Sequence, residues 1–201
     1  MSDSEQLSLS AGAVDRRAAI LKAAGGVLLR YGYRKASVDE VAQLAGISRQ
    51  GVYLHFSTKD ALFAATIKYL LDQSINASRV ALSAPGVPLE ERILNAFEAM
   101  AQGTLATYLD EVLEAAERLT GTPAEELEGA IVAEFTTALE RSPASSPWRR
   151  HGDDAESVAV LLYATSAGCK RLASSTPDYV EQMRHAIRFI CSPNPRKREK
   201  P

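Results

Sequence analysis

Apolar residues return every three to four positions along most of the chain, the spacing of one face of an α-helix. The strict alternation of a half-buried strand is nearly absent, and so are the Asn-Gly and Asp-Gly turns of hairpins. Ile20, Ala24, Val27 and Tyr31 share one helical face, and Gly32 stands where that helix would stop, which predicts a first helix over 15–31. Ser37 and Glu40 have capping-box spacing: the hydroxyl can accept from the Glu40 N–H while the carboxylate reaches back. A two-turn helix follows, with Val38, Val41, Ala42 and Ala45 on one side and Gly46 behind it. Ser48 can cap a third short helix running to His55, with Val52 and Phe56 turned inward. Ser57 and Asp60 repeat the capping pattern ahead of a long fourth helix that reaches residue 81.

Beyond the break at 83–88, with its Pro-Gly and Pro88, helices are expected over 88–102 and 105–119. Gly121 and Pro123 end that pair. A seventh helix, 123–141, repeats Leu127, Ile131, Phe135 and Ala138; a Pro/Ser-rich loop occupies 142–154; a last pair spans 153–173 and 177–191. The expected fold is all-α, with about nine helices: an N-terminal three-helix module, 14–59, and a larger helical body, 60–192. Residues 1–13, Ser-rich with Asp3 and Glu5, read as a flexible arm, and 193–201 as a basic disordered tail.

Composition changes this picture little. Hydrophobic residues at 46% and charged residues at 24% are average for a globular chain, which sets aside disorder and fibrous repeats. The longest apolar run, 158–169, holds Thr165, Ser166 and Gly168 and falls short of the roughly 20 residues that span a bilayer. With no basic start or apolar run of a secretory signal at the N-terminus, a cytoplasmic protein without membrane partners is expected. Cys169 and Cys191 lie far apart without a partnering His, so neither a metal site nor a disulfide framework is expected. His151 and His185 belong to no recognisable set.

Charge is more informative. The net of −2 conceals eight Lys and Arg against Asp39 and Glu40 within 16–59, a local +6; residues 60–195 carry 11 basic against 19 acidic residues, a local −8. A polyanion is attracted to the first stretch and repelled by the second, so nucleic acid is the partner expected at the N-terminal module.

The second and third helices, joined by Ala45-Gly46-Ile47-Ser48, form a helix-turn-helix. Its second helix offers Ser48, Arg49, Gln50, Gly51, Tyr53, Leu54 and His55 on the solvent side. Arg pairs with guanine and Gln with adenine in the major groove, while Ser, Tyr, His and Lys commonly hold phosphates. The run from Tyr31 to Phe63, through Val38-Asp-Glu-Val-Ala-Gln-Leu-Ala-Gly-Ile-Ser48 and Tyr53-Leu-His-Phe56 to Lys59, resembles the signature of TetR-family transcriptional regulators.

That resemblance implies roles residue by residue. Ser37 would cap the second helix and touch phosphate; Ser48 would cap the third. Arg49, Gln50 and Gly51 would face bases, Tyr53 and His55 would brace the DNA backbone, and Lys59 would meet a phosphate at the start of the fourth helix. Ala36 stands where the family often carries a hydroxyl, and Gly51 leaves a reading position without a side chain. The resemblance further implies a homodimer on double-stranded operator DNA, most simply a repressor released from a palindrome by a small-molecule effector. A dimeric regulator without an effector, its body a scaffold or docking surface, is the alternative. Phe97, Met100, Tyr108, Phe135 and Tyr163 would line an effector cavity. Val158, Leu161, Ala164, Gly168, Val180, Met183 and Ile187 in the last helix pair would form the dimer interface. No enzyme and no cofactor are expected: there is no carboxylate pair with a His, no Gly-rich phosphate loop and no nucleophile motif.

Overall fold

The computed structural model describes residues 3–101, 109–122, 124–143, 146, 148–149 and 154–191. Among them the chain forms nine α-helices and no strand: α1 (Asp3–Lys35), α2 (Val38–Ala45), α3 (Arg49–His55), α4 (Lys59–Leu82), α5 (Leu89–Ala101), α6 (Leu109–Thr120), α7 (Ala124–Glu140), α8 (Ala155–Leu172) and α9 (Thr176–Cys191). The all-α reading stands. Helix α1 starts twelve residues before the expected Asp15, so the stretch read as a flexible arm is helical from Asp3 onward. Gly32 interrupts it as expected, at φ 73° and ψ 168°, a backbone region essentially confined to glycine.

The chain divides into two compact units, and not at residue 59. The first comprises Met1–Gln73 together with Ala106–Ala124; the second comprises Ser74–Leu105 and Glu125–Pro201. Helix α6, assigned from the sequence to the body, thus belongs with the N-terminal helices. Its Ala116 joins Ile20, Val27, Val41, Val52 and Phe63 in one buried cluster. Glu111 on α6 accepts the Arg34 backbone N–H at 2.7 Å. Arg118 lies 4.8 Å from the Tyr33 ring centre and 3.7 Å from Asp60 Oδ2. Tyr33 also hydrogen-bonds Asp60 and meets Phe63 edge-on at 5.7 Å. Burial first, and then the Asp60 hydrogen bond, hold the Tyr33 hydroxyl above its ordinary pKa.

In the second unit α5, α7, α8 and α9 close around Phe97, Phe135, Leu162, Tyr179 and Met183, all buried. Trp148, from the segment read as a loop, is also buried there, its indole N–H donating to Ser142 Oγ at 3.2 Å. Arg79 on α4 and Glu134 on α7 form a two-pronged ion pair, with Arg79 Nε 3.2 Å from Glu134 Oε2. Ser166 and Tyr179 share a buried hydrogen bond of 2.8 Å between α8 and α9. No helix of the described residues is long and apolar enough to cross a membrane.

Candidate nucleic-acid interface

Local chemistry shapes the α2–α3 hairpin. Ser37, in extended conformation, accepts the Glu40 N–H at 3.1 Å and starts α2. Gly46 takes the left-handed conformation (φ 67°, ψ 30°), and the Ile47 N–H returns to the Ala42 carbonyl at 3.0 Å, a closure that satisfies carbonyls a helix end would leave orphaned. Ser48 then accepts the Gly51 N–H at 3.0 Å and starts α3. Val41 and Ala42 from α2 and Val52 from α3 are buried together, which fixes how α3 is rolled. Ser48, Arg49, Gln50, Tyr53 and Leu54 are therefore turned to solvent, and Gly51 and His55 are half-buried. Leu54 is 81% exposed, an apolar side chain held in water beside polar reading residues.

Arg49 is engaged on two sides. Its Nη1 donates to Asp39 Oδ2 on α2 at 2.8 Å, and its guanidinium carbon lies 5.7 Å from the centre of the Tyr53 ring. The Tyr53 hydroxyl, and then the Asp39 charge, raise the guanidinium pKa above its ordinary value. Asp39 was not among the sequence-derived site residues; only the fold brings it beside Arg49. Arg17 on α1, equally unsignalled, stacks 4.5 Å over Phe56 at the end of α3.

Lys59 has partners within its own chain. Its ammonium sits 4.9 Å from the Tyr33 ring centre and 5.9 Å from that of Phe63, and lies 3.5 Å from the Arg34 carbonyl. These contacts fasten the start of α4 to the end of α1. Ser37 is half-buried, and its hydroxyl oxygen accepts the cap hydrogen bond.

The residues expected in the second unit divide. Phe97 and Phe135 stack on each other, centres 4.3 Å apart and planes at 20°, and with Met100 they are core residues. Tyr163 is half-buried, its pKa pushed up to about 12 by burial and then by the Glu128 carboxylate. Tyr108 and the tail 193–201 lie outside the described residues. Of the interface residues, Leu161, Ala164 and Gly168 are exposed on one side of α8. Val158, Met183 and Ile187 instead face the chain's own core, and Val180 packs against that core. The sequence pattern along α8 is apolar nearly all round, so it did not show which side the core takes. The exposed side also carries Val160 and Leu172, and α9 exposes Phe189 at 90%.

A capped two-helix hairpin that turns Arg, Gln and Tyr outward from a basic module is a helix-turn-helix of the DNA-binding kind. Residues 20–66 match the family described as bacterial regulatory proteins, tetR family. The N-terminal module, over residues 20–66, is that of the TetR family of transcriptional regulators. Among curated relatives, the HTH-type transcriptional activator FasR of Mycolicibacterium smegmatis is 38% identical over 68 residues, 34% of this chain and 31% of that protein. The HTH-type transcriptional regulator YhgD of Bacillus subtilis is 30% identical over 87 residues, covering 43% of this chain and 45% of its own length. The chain thus spans less than half of the curated relatives it matches. Over the whole fold, a transcriptional regulator from Rhodococcus sp. Rha1 superposes with a TM-score of 0.65 at 22% identity, covering 87% of this chain and 95% of that one. A TetR transcriptional regulator from Legionella pneumophila does so with a TM-score of 0.66 at 18% identity, covering 87% and 96%.

Proposed function

We propose that this chain is a sequence-specific regulator that binds a palindromic operator as a homodimer, with α3 of each subunit in the major groove. The observation that carries this reading is the outward row Arg49, Gln50 and Tyr53 on a helix whose inner face is fixed by Val52. Such a row has no use in a core and has the donors that base edges accept. A single short helix binds weakly, so two half-sites about 34 Å or a multiple apart are expected. The exposed side of α8 with Leu161, Ala164, Gly168 and Leu172, together with the exposed Phe189 of α9, is the surface we assign to the second subunit. Selection of fragmented genomic DNA on the purified protein, repeated at raised salt, tests the reading. Enrichment of an inverted repeat supports it, and recovery without any shared motif refutes it.

Within this reading the finer proposal is a repressor that a small molecule releases, by favouring a state of the body that binds the operator less well. The Phe97–Phe135 stack favours the alternative in which the body is a scaffold, because two of the expected lining residues fill each other's space. An opening of about 150 Å³ beside α5 and α9 is lined by Glu90, Glu91, Leu94, Arg184, Ile187 and Arg188, none of them in the expected set. It is smaller than the roughly 300 Å³ at which drug-sized sites begin. Titration of the operator complex with candidate metabolites decides between the two forms: a compound that lowers affinity establishes the first.

A further inference from the structure

The cation expected to read a base is held by a carboxylate from the neighbouring helix. Asp39 lies in the first turn of α2, right after the Ser37 cap, and its Oδ2 takes Nη1 of Arg49 at 2.8 Å. The Tyr53 ring, one turn further along α3, backs the same guanidinium. A guanidinium presents five N–H donors in a rigid fork. With Nη1 given to Asp39, the edge formed by Nε and Nη2 faces no carboxylate among the described residues and is the one a pair of base acceptors can meet, the Tyr53 hydroxyl lying beside the same guanidinium. We propose that Asp39 is a positioning residue that fixes which edge of Arg49 meets the DNA, and that the half-site therefore contains a guanine read through O6 and N7. This rests on the operator-binding reading above.

Asp39 has two possible effects on DNA binding, and exposure decides between them. As a competitor it would occupy Arg49 and repel phosphates; as a guide it would hold the side chain in one direction. Both partners are more than half exposed, 57% for Arg49 and 64% for Asp39. An ion pair in that much water is too weak to withhold Arg49 from a paired base contact. Once DNA covers the site and excludes water, the same pair strengthens, because charges interact more strongly at lower dielectric. Guidance is therefore felt in the complex, where specificity is set.

The test uses the full-length protein, an operator recovered by selection, and copies of it in which single guanines are replaced by 7-deazaguanine, which lacks the N7 acceptor. The unmodified protein is expected to lose roughly tenfold in affinity at one guanine per half-site. Asp39→Asn is expected to bind the intact operator more weakly and to lose most of its sensitivity to that replacement. Its binding to random DNA should be unchanged or tighter, since an anion has been removed. Melting curves report whether the variant folds; Asp39→Glu, which keeps the charge at the start of α2 but moves the carboxylate by one methylene, repeats the test if it does not. A variant that binds every sequence more tightly with the guanine preference intact would make Asp39 only a competitor and overturn the inference. So would unchanged affinity and preference. If the unmodified protein enriches no motif at all, the operator reading itself fails, an outcome distinct from either.

Discussion

The carboxylate of Glu111 occupies the space that a side chain at Gly32 would need: a Cβ there would lie 2.8 Å from Glu111 Oε2. The same carboxylate accepts the Arg34 N–H, so the break in α1 and the position of α6 depend on one another. Gly32→Ala is expected to cost about 2–4 kcal/mol, combining about 1–3 kcal/mol of backbone strain with a weakened hydrogen bond. Urea unfolding checks it. In a Glu111→Ala background the same substitution should cost less, since the steric part is gone; equal losses in both backgrounds would show that the backbone alone is responsible.

Phe97→Ala should destabilise the chain by about 3–5 kcal/mol, the range for deleting a fully buried aromatic side chain. The stacked partner Phe135 makes the upper part of that range the expected one. A loss below about 1 kcal/mol in denaturant unfolding would mean that the ring borders space instead of filling it.

Lys59→Met keeps the aliphatic stem and removes the charge over Tyr33 and Phe63. The expected cost is about 0.5–1 kcal/mol of stability with no change in the salt dependence of DNA binding. If Lys59 meets a phosphate instead, the slope of log affinity against log salt should fall by about one. The two measurements are independent.

Acid should weaken the starts of the last two helices. Asp154 accepts the Ser157 backbone N–H at 2.7 Å and its hydroxyl at 3.0 Å; Asp178 accepts the Ser174 N–H at 2.8 Å, its hydroxyl at 3.0 Å and the Gln182 amide at 3.0 Å. In each case the backbone hydrogen bond is the first cause holding the carboxyl below its ordinary pKa. A carboxylate whose pKa is lower folded than unfolded stabilises the fold above the unfolded value, and that contribution is lost as pH falls through the folded one. Melting temperature should therefore drop below about pH 4, where unfolded aspartates titrate. Asp154→Asn, which still caps α8 but does not titrate, should make that drop shallower; an unchanged acid limb would assign it to other carboxylates.

What could be read from the sequence was what local chemistry decides. Ser37, Gly46 and Ser48 act on backbone groups within five residues of themselves, and each does so as its spacing indicated. Arg49, Gln50 and Tyr53 were legible as outward residues because Val52 and Phe56 announce the inner face. Asp39 was not, since it is ten residues from Arg49 and meets it only after the turn has formed. Lys59 has the residue type of a phosphate ligand, and its place over Tyr33 and Phe63 comes from tertiary contacts that spacing does not show. Trp148 sits among polar and Pro residues that read as a loop, yet its large ring is buried. Val158 and Leu161 look alike in the pattern, and only packing sends one to the core and leaves the other 51% exposed.

The membership of α6 in the first unit bears on the order in which the chain can fold as it leaves the ribosome. Residues up to 73 emerge first and hold most of that unit's core, but Ala116, the acceptor for Arg34 N–H on Glu111, and the guanidinium of Arg118 arrive some forty residues later. Until then the Arg34 N–H lacks its carboxylate acceptor, and of the two cations over Tyr33 only Lys59 is present. The same interval would be permanent in a nascent chain released after residue 73, which would carry the complete hairpin without the helix that closes the core behind it.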